Sequence, residues 1–89
     1  MIKHETTIIN KLGLHARAAA KFVSLASNFE SDIEIECGDK IVNGKSILGV
    51  MMLAASRGTN ITLIVSGNDE NEAVQQLTGL VEDRFGEDS

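Results

Sequence analysis

The chain has 89 residues, of which 43% are hydrophobic and 24% are charged, a composition typical of one small soluble domain. Its 8 basic and 13 acidic side chains give a net charge of −5, so it lacks the basic stripe that nucleic-acid binding requires. No apolar stretch approaches the roughly 20 residues of a membrane-spanning helix. A chain of this size buries only about 60 to 65% of its surface on folding, so we expect its chemistry at the surface rather than in a large enclosed site.

The sequence also predicts a cytoplasmic location with no metal and no cofactor. The opening residues MIKHETTII lack the long apolar region of a signal peptide. Cys37 is the single cysteine, so neither an internal disulfide nor a cysteine-based zinc site can form. The two histidines, His4 and His15, do not cluster with it at a spacing typical of metal sites.

The first strand and the first helix are indicated by different residue patterns. Residues 3–10 (KHETTIIN) are rich in Thr and Ile, which favours a strand that ends before Gly13. A helix is expected from Ala16, because one apolar stripe occupies the helical positions i, i+3, i+4 and i+7: Phe22, Leu25, Ala26 and Phe29.

A β-hairpin is predicted next. Residues 32–37 (DIEIEC) alternate acidic and apolar side chains, so that the inner face carries Ile33, Ile35 and Cys37. Turn-forming residues at 38–40 lead to a short partner strand at residues 41–42. The acidic outer face indicates that one side of the sheet meets water.

The middle of the chain predicts a short helix and a fourth strand. Ser46 is suited to cap the helix, whose apolar residues surround it almost completely: Ile47, Leu48, Val50, Met51, Met52 and Leu53. The two methionines can fill gaps in the core, but so short a helix cannot bury every side. Gly58 is expected to close the helix, and residues 60–66 (NITLIVS) alternate as a strand does.

The last predicted element is a helix. Asp69 and Glu72 have the spacing of a capping box at its start. Its inner face is expected to carry Ala73, Leu77, Leu80, Val81 and Phe85. Gly86 is expected to end it, and residues 87–89 are expected to fray.

The element order is therefore βαββαβα within one domain of residues 1–89. Four half-buried strands and three amphipathic helices predict an α+β fold. We expect an open-faced two-layer sandwich, in which three helices cover one face of a four-stranded, mostly antiparallel sheet.

One stretch is suited to chemistry: Gly13-Leu14-His15-Ala16-Arg17. His15 lies between a glycine turn and the first helical turn, where up to four backbone N–H groups lack partners and the helix dipole adds about half a positive charge. Arg17 adds a guanidinium group whose geometry suits phosphate oxygens. The stretch predicts a surface nucleophile that accepts a phosphoryl group, although His15 could instead serve only as a helix cap.

A second motif covers residues 43–53 (NGKSILGVMML). The GKS at residues 44–46 resembles the end of a phosphate-binding P-loop, but the first glycine of that motif would have to stand at Asp39, so this interpretation fails. The helix is expected to leave a small apolar docking patch exposed, drawn from Ile47, Leu48 and Met51.

Together the two motifs resemble the histidine-containing phosphocarrier (HPr) family of the bacterial phosphoenolpyruvate:sugar phosphotransferase system. The resemblance covers nearly the whole chain and is carried by GLHARAAAKFV at the first helix and NGKSILGVMMLAA at the second. It implies that Enzyme I phosphorylates His15 on Nδ1, that Arg17 neutralises the phosphate, and that the group passes to the A domains of Enzyme II complexes. The protein would then be a carrier and not an enzyme.

The resemblance also implies that Ser46 is a regulatory serine, phosphorylated with ATP by HPr kinase/phosphorylase. The partner-docking residues are expected to be Ala16, Lys21, Lys45, Ile47, Leu48 and Met51. A carrier that meets successive partners is expected to be a monomer. Ala18 stands where many members carry proline, which affects the expected rigidity of the His15 loop but not the identity of the site.

Two alternatives stay open at this point. Within the same fold, the protein could serve the nitrogen-related branch of the phosphotransferase system, or act mainly through Ser46. In a different class, it could be a small-ligand-sensing α+β domain in which His15 is only a cap. That alternative predicts a pocket between the two layers and no phosphorylation.

Overall fold

Four strands and three α-helices alternate along the chain in the predicted order, followed by one 3₁₀ turn. A computed structural model describes all residues, 1–89. The strands are β1 (Ile2–Thr7), β2 (Asp32–Cys37), β3 (Lys40–Asn43) and β4 (Asn60–Ser66), the helices are α1 (Ala16–Ala26), α2 (Ile47–Met52) and α3 (Glu70–Glu82), and the 3₁₀ turn covers Arg84–Gly86.

The strands form one sheet in the order β1-β4-β2-β3, and every neighbouring pair is antiparallel. β4 is therefore central. It pairs with β1 in a register that joins Asn60 to Thr7, and with β2 in a register that joins Val65 to Ile33. The predicted α+β open-faced sandwich with a four-stranded antiparallel sheet is confirmed.

The core lies between the helices and one face of the sheet and contains 20 buried hydrophobic residues. Along β4 the buried side chains alternate with partly exposed ones, because successive residues of a strand point to opposite faces. α1 contributes Ala18, Ala19, Phe22 and Ala26, α3 contributes Ala73, Val74, Leu77 and Val81, and α2 contributes Val50 alone. α2 thus leaves most of its apolar surface outside the core.

Two elements end earlier than their sequence patterns predict. β1 stops at Thr7, and the next residue, Ile8, is fully buried in the core. α2 stops at Met52, well before Gly58, because Ala54 has a positive φ of 49° that a helix cannot accommodate. Met52 is 71% exposed and does not fill the core.

The final helix also ends earlier than predicted. α3 stops at Glu82, and Phe85 lies in the following 3₁₀ turn, where it is fully buried. Arg84, Phe85 and Gly86 have φ values of 55°, 55° and 76°, a left-handed conformation that side-chain periodicity does not reveal. This turn directs residue Glu87 back to the start of α1, so the prediction that it frays is wrong.

The capping box predicted for Asp69 and Glu72 is absent. The Asp69 carboxylate instead accepts hydrogen bonds from the backbone N–H groups of Glu30 (2.9 Å) and Ser31 (3.0 Å), and from the Ser31 hydroxyl. These bonds, that of the Ser31 hydroxyl first, hold the pKa of Asp69 below its usual value of 3.8. Asp69 therefore ties the start of α3 to the loop between α1 and β2.

We expect Asp69→Asn to lower the urea-unfolding midpoint at neutral pH and to reduce the loss of stability in acid. The ionised carboxylate stabilises the fold fully above the usual pKa of 3.8, and this contribution is lost as the pH falls through the lower folded-state pKa. Asparagine has a single side-chain oxygen and no charge, so it cannot reproduce the two-oxygen contact. Urea titrations of both proteins over a series of pH values measure the difference. An identical acid dependence in the two proteins would contradict this role of Asp69.

Candidate functional site

His15 immediately precedes α1 and caps it. Its backbone is extended (φ −73°, ψ 177°), and its Nδ1 accepts a hydrogen bond from the backbone N–H of Arg17 at 3.3 Å. The side chain is 27% exposed. Because Nδ1 is an acceptor, its lone pair points to the N-terminal end of α1, where the unpaired N–H groups of the first turn also lie.

The loop before His15 is held by backbone contacts with the segment that follows α2. Leu14 donates its N–H to the carbonyl of Ala55 at 2.8 Å, and the fully buried Asn10 donates from Nδ2 to the carbonyl of Gly13 at 2.8 Å. Gly13 has a φ of +68°, and a Cβ atom at this position would lie 2.5 Å from the Ala55 carbonyl oxygen. Only glycine fits there, so the direction in which the chain enters α1 is fixed.

Glu87 is the residue of the site that sequence reasoning missed. Its Oε2 contacts Nε2 of His15, and its Oε1 accepts a hydrogen bond from Nδ2 of Asn10 at 2.9 Å. The Asn10 amide first, and His15 second, hold the pKa of Glu87 below its usual value of 4.5. No spacing or motif in the sequence joins Glu87 to His15, since 72 positions separate them. Gly86 was the single local sign of a turn there.

Arg17 lies in the first turn of α1 with an exposed side chain. Its guanidinium takes part in neither of the two ion pairs in the structure. A surface groove of about 670 Å³ lies beside His15, and its lining includes Lys11, Arg17, Glu87 and Asp88. Ala16, the first residue of α1, also lines this groove and is exposed. An anion held next to His15 would therefore meet an unpaired guanidinium and the end of a helix.

Ser46 caps α2, as its position predicts. Its Oγ accepts a hydrogen bond from the backbone N–H of Gly49 at 3.2 Å, and its side chain is partly exposed. A Cβ atom on Gly49 would lie 3.3 Å from this Oγ, so the small residue leaves room around the hydroxyl. Ser46 is thus accessible and stands at the N-terminal end of a helix.

The expected docking patch is exposed on α2. The exposed fractions are 41% for Ile47, 71% for Leu48 and 40% for Met51, and Met52 (71%) extends the patch beyond the prediction. We call these four residues the α2 patch. α2 packs against α1, and Ala55, which follows α2, is hydrogen-bonded to Leu14, so the α2 patch lies on a helix next to the element that carries His15.

The two lysines expected at the docking surface have structural contacts as well. Nζ of Lys21 donates to the carbonyl of Phe85 at 2.7 Å, and Nζ of Lys45 donates to the carbonyl of Phe29 at 2.6 Å. Sequence reasoning gave no sign of these bonds. An ammonium group has three donors, so both lysines retain their charge and further hydrogen-bonding capacity toward a partner.

All three cavities of the structure lie at its surface, and the space between the layers is filled by the core. The pocket that the ligand-sensing alternative requires is therefore absent.

No group of three or more His, Cys, Asp or Glu residues is arranged to hold a metal ion. No helix is both long and apolar enough to cross a membrane.

The open-faced sandwich and the histidine at the start of α1 define a small α+β protein with a surface site, and comparison with known proteins identifies its family. Residues 2–83 match the model of the PTS HPr component phosphorylation site. The phosphocarrier protein HPr of Cupriavidus necator is 53% identical over 87 residues, which are 98% of each chain. The chain belongs to the HPr family of phosphocarrier proteins of the phosphotransferase system, so a carrier role in that system follows from its membership.

Solved structures agree with this assignment. A crystal structure of HPr-C-His from Thermoanaerobacter tengcongensis superimposes with a TM-score of 0.96 at 47% identity, covering 100% of both chains. An HPr dimer from the same organism superimposes with a TM-score of 0.79 at 48% identity, covering 98% of this chain and 100% of that one. Some relatives therefore form dimers, and the monomeric state expected for this chain stays a prediction.

Proposed function

We propose that this protein carries phosphoryl groups on His15, which accepts them from Enzyme I and passes them to the A domains of Enzyme II complexes. The observation that carries the proposal is the position of Nδ1. It belongs to a partly exposed imidazole at the N-terminal end of α1, and the unpaired guanidinium of Arg17 lies in the same helical turn. Family membership supports the same role.

The chemistry needs little more than these groups. The lone pair of Nδ1 forms a bond to phosphorus while the bond between phosphorus and the donor breaks, and the donor keeps the electron pair of that bond. The transferred group then lies beside the backbone N–H groups of the first turn of α1 and the Arg17 guanidinium, which offset its negative charge. Phosphoryl transfer depends chiefly on such positioning and charge stabilisation, so two docked proteins can provide it without a deep pocket.

Partners would dock over the surface that surrounds His15. The α2 patch supplies apolar contact area, and Lys21, Lys45 and Arg17 supply positive charge that attracts an acidic partner. Ala16 is exposed and small, so a partner can approach His15 closely. Transient interfaces of this kind bury less than about 1,200 Å² in total, which fits a carrier that must leave one partner before it meets the next.

Intact-mass spectrometry tests the proposal directly. After incubation with phosphoenolpyruvate and Enzyme I, the protein should gain one phosphoryl group, and mild acid should remove it. Addition of an Enzyme II A domain should also remove the group and transfer it to that domain. A folded protein that gains no mass beside an active Enzyme I would refute the carrier role.

We further propose that phosphorylation of Ser46 by HPr kinase/phosphorylase regulates this transfer. Ser46 is partly exposed and caps α2, where the helix dipole favours negative charge, so a phosphate can be held there without unfolding the helix. The new charge would stand next to the α2 patch. It would repel the acidic surface of Enzyme I and so weaken docking.

Ser46→Asp is expected to slow phosphorylation by Enzyme I by about tenfold or more, because a like charge then faces the partner across the interface. Aspartate is also a good helix cap, so the fold should be retained. Gln75→Glu is the matched control. It adds one negative charge at an exposed position of α3 and should leave the rate unchanged. Initial rates measured with limiting Enzyme I decide the matter, and a Ser46→Asp protein as fast as the parent would contradict the mechanism.

A further inference from the structure

We infer that Glu87 is a positioning residue for His15: its carboxylate holds the ring proton on Nε2, leaves the lone pair on Nδ1, and balances the charge that the ring acquires during transfer. This inference rests on the proposed carrier function and extends it to a residue outside both sequence motifs. Three structural features support it: the contacts of the carboxylate, the state of the imidazole, and the turn that brings Glu87 to the site.

The Glu87 carboxylate has a separate partner for each oxygen. Oε2 contacts Nε2 of His15, and Oε1 accepts from Nδ2 of Asn10 at 2.9 Å. Asn10 is itself fully buried, and its Nδ2 also donates to the carbonyl of Gly13. Asn10 therefore holds both the Glu87 carboxylate and the loop before His15, and these two contacts fix the orientation of the carboxylate relative to the imidazole.

The two hydrogen bonds of His15 select the same form of the neutral ring. Nδ1 accepts from the Arg17 backbone N–H at 3.3 Å, so it cannot carry a proton. The proton of the neutral imidazole must then lie on Nε2, where the Glu87 carboxylate is available to accept it. Both contacts therefore favour the tautomer whose lone pair is on Nδ1, the nitrogen proposed to receive the phosphoryl group.

The chain adopts an uncommon conformation to bring Glu87 to this position. Arg84, Phe85 and Gly86 are all left-handed, a conformation that is unfavourable for the two residues with side chains. Phe85 anchors the turn in the core, and its carbonyl accepts from Nζ of Lys21 at 2.7 Å. Such strained residues concentrate at functional sites, where the surrounding structure maintains them.

The transfer step shows why a carboxylate is useful there. Nδ1 forms its bond to phosphorus while the donor's bond to phosphorus breaks, and the donor retains the electron pair. No proton needs to leave, because the single ring proton stays on Nε2. The imidazole becomes a cation as the new bond forms, and the hydrogen bond from Nε2–H to the Glu87 carboxylate becomes an ion pair, which stabilises the product side of the reaction. The reverse transfer to the next partner releases the same charge.

Glu87→Gln provides the sharpest test. Asn10 and His15 contact different oxygens of the carboxylate, and glutamine replaces one of these oxygens with an NH₂ group, which must then face one of the two donors. Nitrogen-15 chemical shifts of the His15 ring report which nitrogen is protonated. We expect the parent to carry its proton on Nε2, and the variant to populate the form protonated on Nδ1 and to be phosphorylated about tenfold more slowly, as for the loss of one charge-assisted hydrogen bond.

Glu82→Gln is the matched control, because it makes the same substitution at an exposed residue of α3 outside the groove and should change neither the tautomer nor the rate. A parent ring protonated on Nδ1, or a Glu87→Gln protein with the parent's tautomer or the parent's rate, would overturn the inference. Faster transfer in Glu87→Gln would overturn it too, because residues 87–89 would then shield the site. The tautomer measurement needs no phosphate, so failure of the carrier function itself would be recognised separately, by a parent protein that gains no mass.

Discussion

Replacing His15 with alanine is expected to abolish acid-labile phosphorylation by phosphoenolpyruvate and Enzyme I. Alanine removes the only imidazole at a helix N-terminus, and the phosphoryl group has no other acceptor beside Arg17. The fold should persist, because His15 is partly exposed and contributes one capping bond, whose loss costs about 1 kcal/mol. Intact-mass spectrometry measures the acceptance, and circular dichroism verifies the fold.

His4→Ala is the matched control. His4 is the other histidine of the chain and is exposed on β1, in a strand and away from any helix start. Its replacement should leave phosphorylation unchanged. A residual acid-labile phosphate in His15→Ala, or its loss in His4→Ala, would place the acceptor elsewhere.

Phe85→Ala is expected to lower the free energy of unfolding by about 3 to 5 kcal/mol, the usual range for removing a buried aromatic ring. Phe85 is one of the two largest side chains that are fully buried in the core. A domain of this size has a total stability of about 5 to 15 kcal/mol, so the loss is a large part of the whole. The left-handed turn that carries Glu87 should also loosen. Urea unfolding followed by circular dichroism measures the first effect.

Leu48→Ala separates stability from docking. Leu48 is 71% exposed on α2, so its truncation should leave the urea midpoint almost unchanged while it raises the concentration of protein needed to saturate Enzyme I. We therefore expect Phe85→Ala to lower the stability strongly, and Leu48→Ala to weaken docking while the stability stays almost unchanged. Equal stability losses in both variants would mean that the assignment of core and patch is wrong.

Much of the fold could be predicted because its signals are local. The alternation in residues 60–66 coincides with β4, and the helical stripe after Ala16 indicates α1, although its last member, Phe29, lies beyond the end of the helix at Ala26. Which strand neighbours which could not be read in this way. β4 lies between β1 and β2, and that order depends on contacts between segments far apart in the chain, to which periodicity gives no access.

The predictions that are wrong concern residues whose side chains contact distant segments of the chain rather than their neighbours in sequence. Asp69 has the spacing of a capping residue, but its carboxylate bonds to Glu30 and Ser31, which lie nearly 40 positions away. Residues 87–89 form a short polar segment, which predicts fraying. The left-handed turn at Arg84–Gly86 instead brings Glu87 into contact with His15. Backbone φ values of this kind leave little trace in hydrophobic patterning.

The candidate site was therefore predicted in part. His15 and Arg17 lie inside a compact motif whose residue types indicate phosphate chemistry, whereas the regulatory role of Ser46 is implied only by the resemblance. The structure places His15 and Ser46 each at the start of a helix. Glu87 and Asn10 could not be predicted, because their connection to His15 exists only in the folded chain.

The course of residues 84–89 has a practical consequence for handling the protein. Ser89 lines the groove beside His15, so any affinity tag, fluorophore or fusion partner joined after it would begin within reach of the imidazole. Met1 immediately precedes β1, a strand that spans about 20 Å at 3.3 Å per residue. Its amino group contacts Glu70 at the start of α3. Labels attached at Met1 leave the reactive end of the molecule open, and kinetic measurements should use that form.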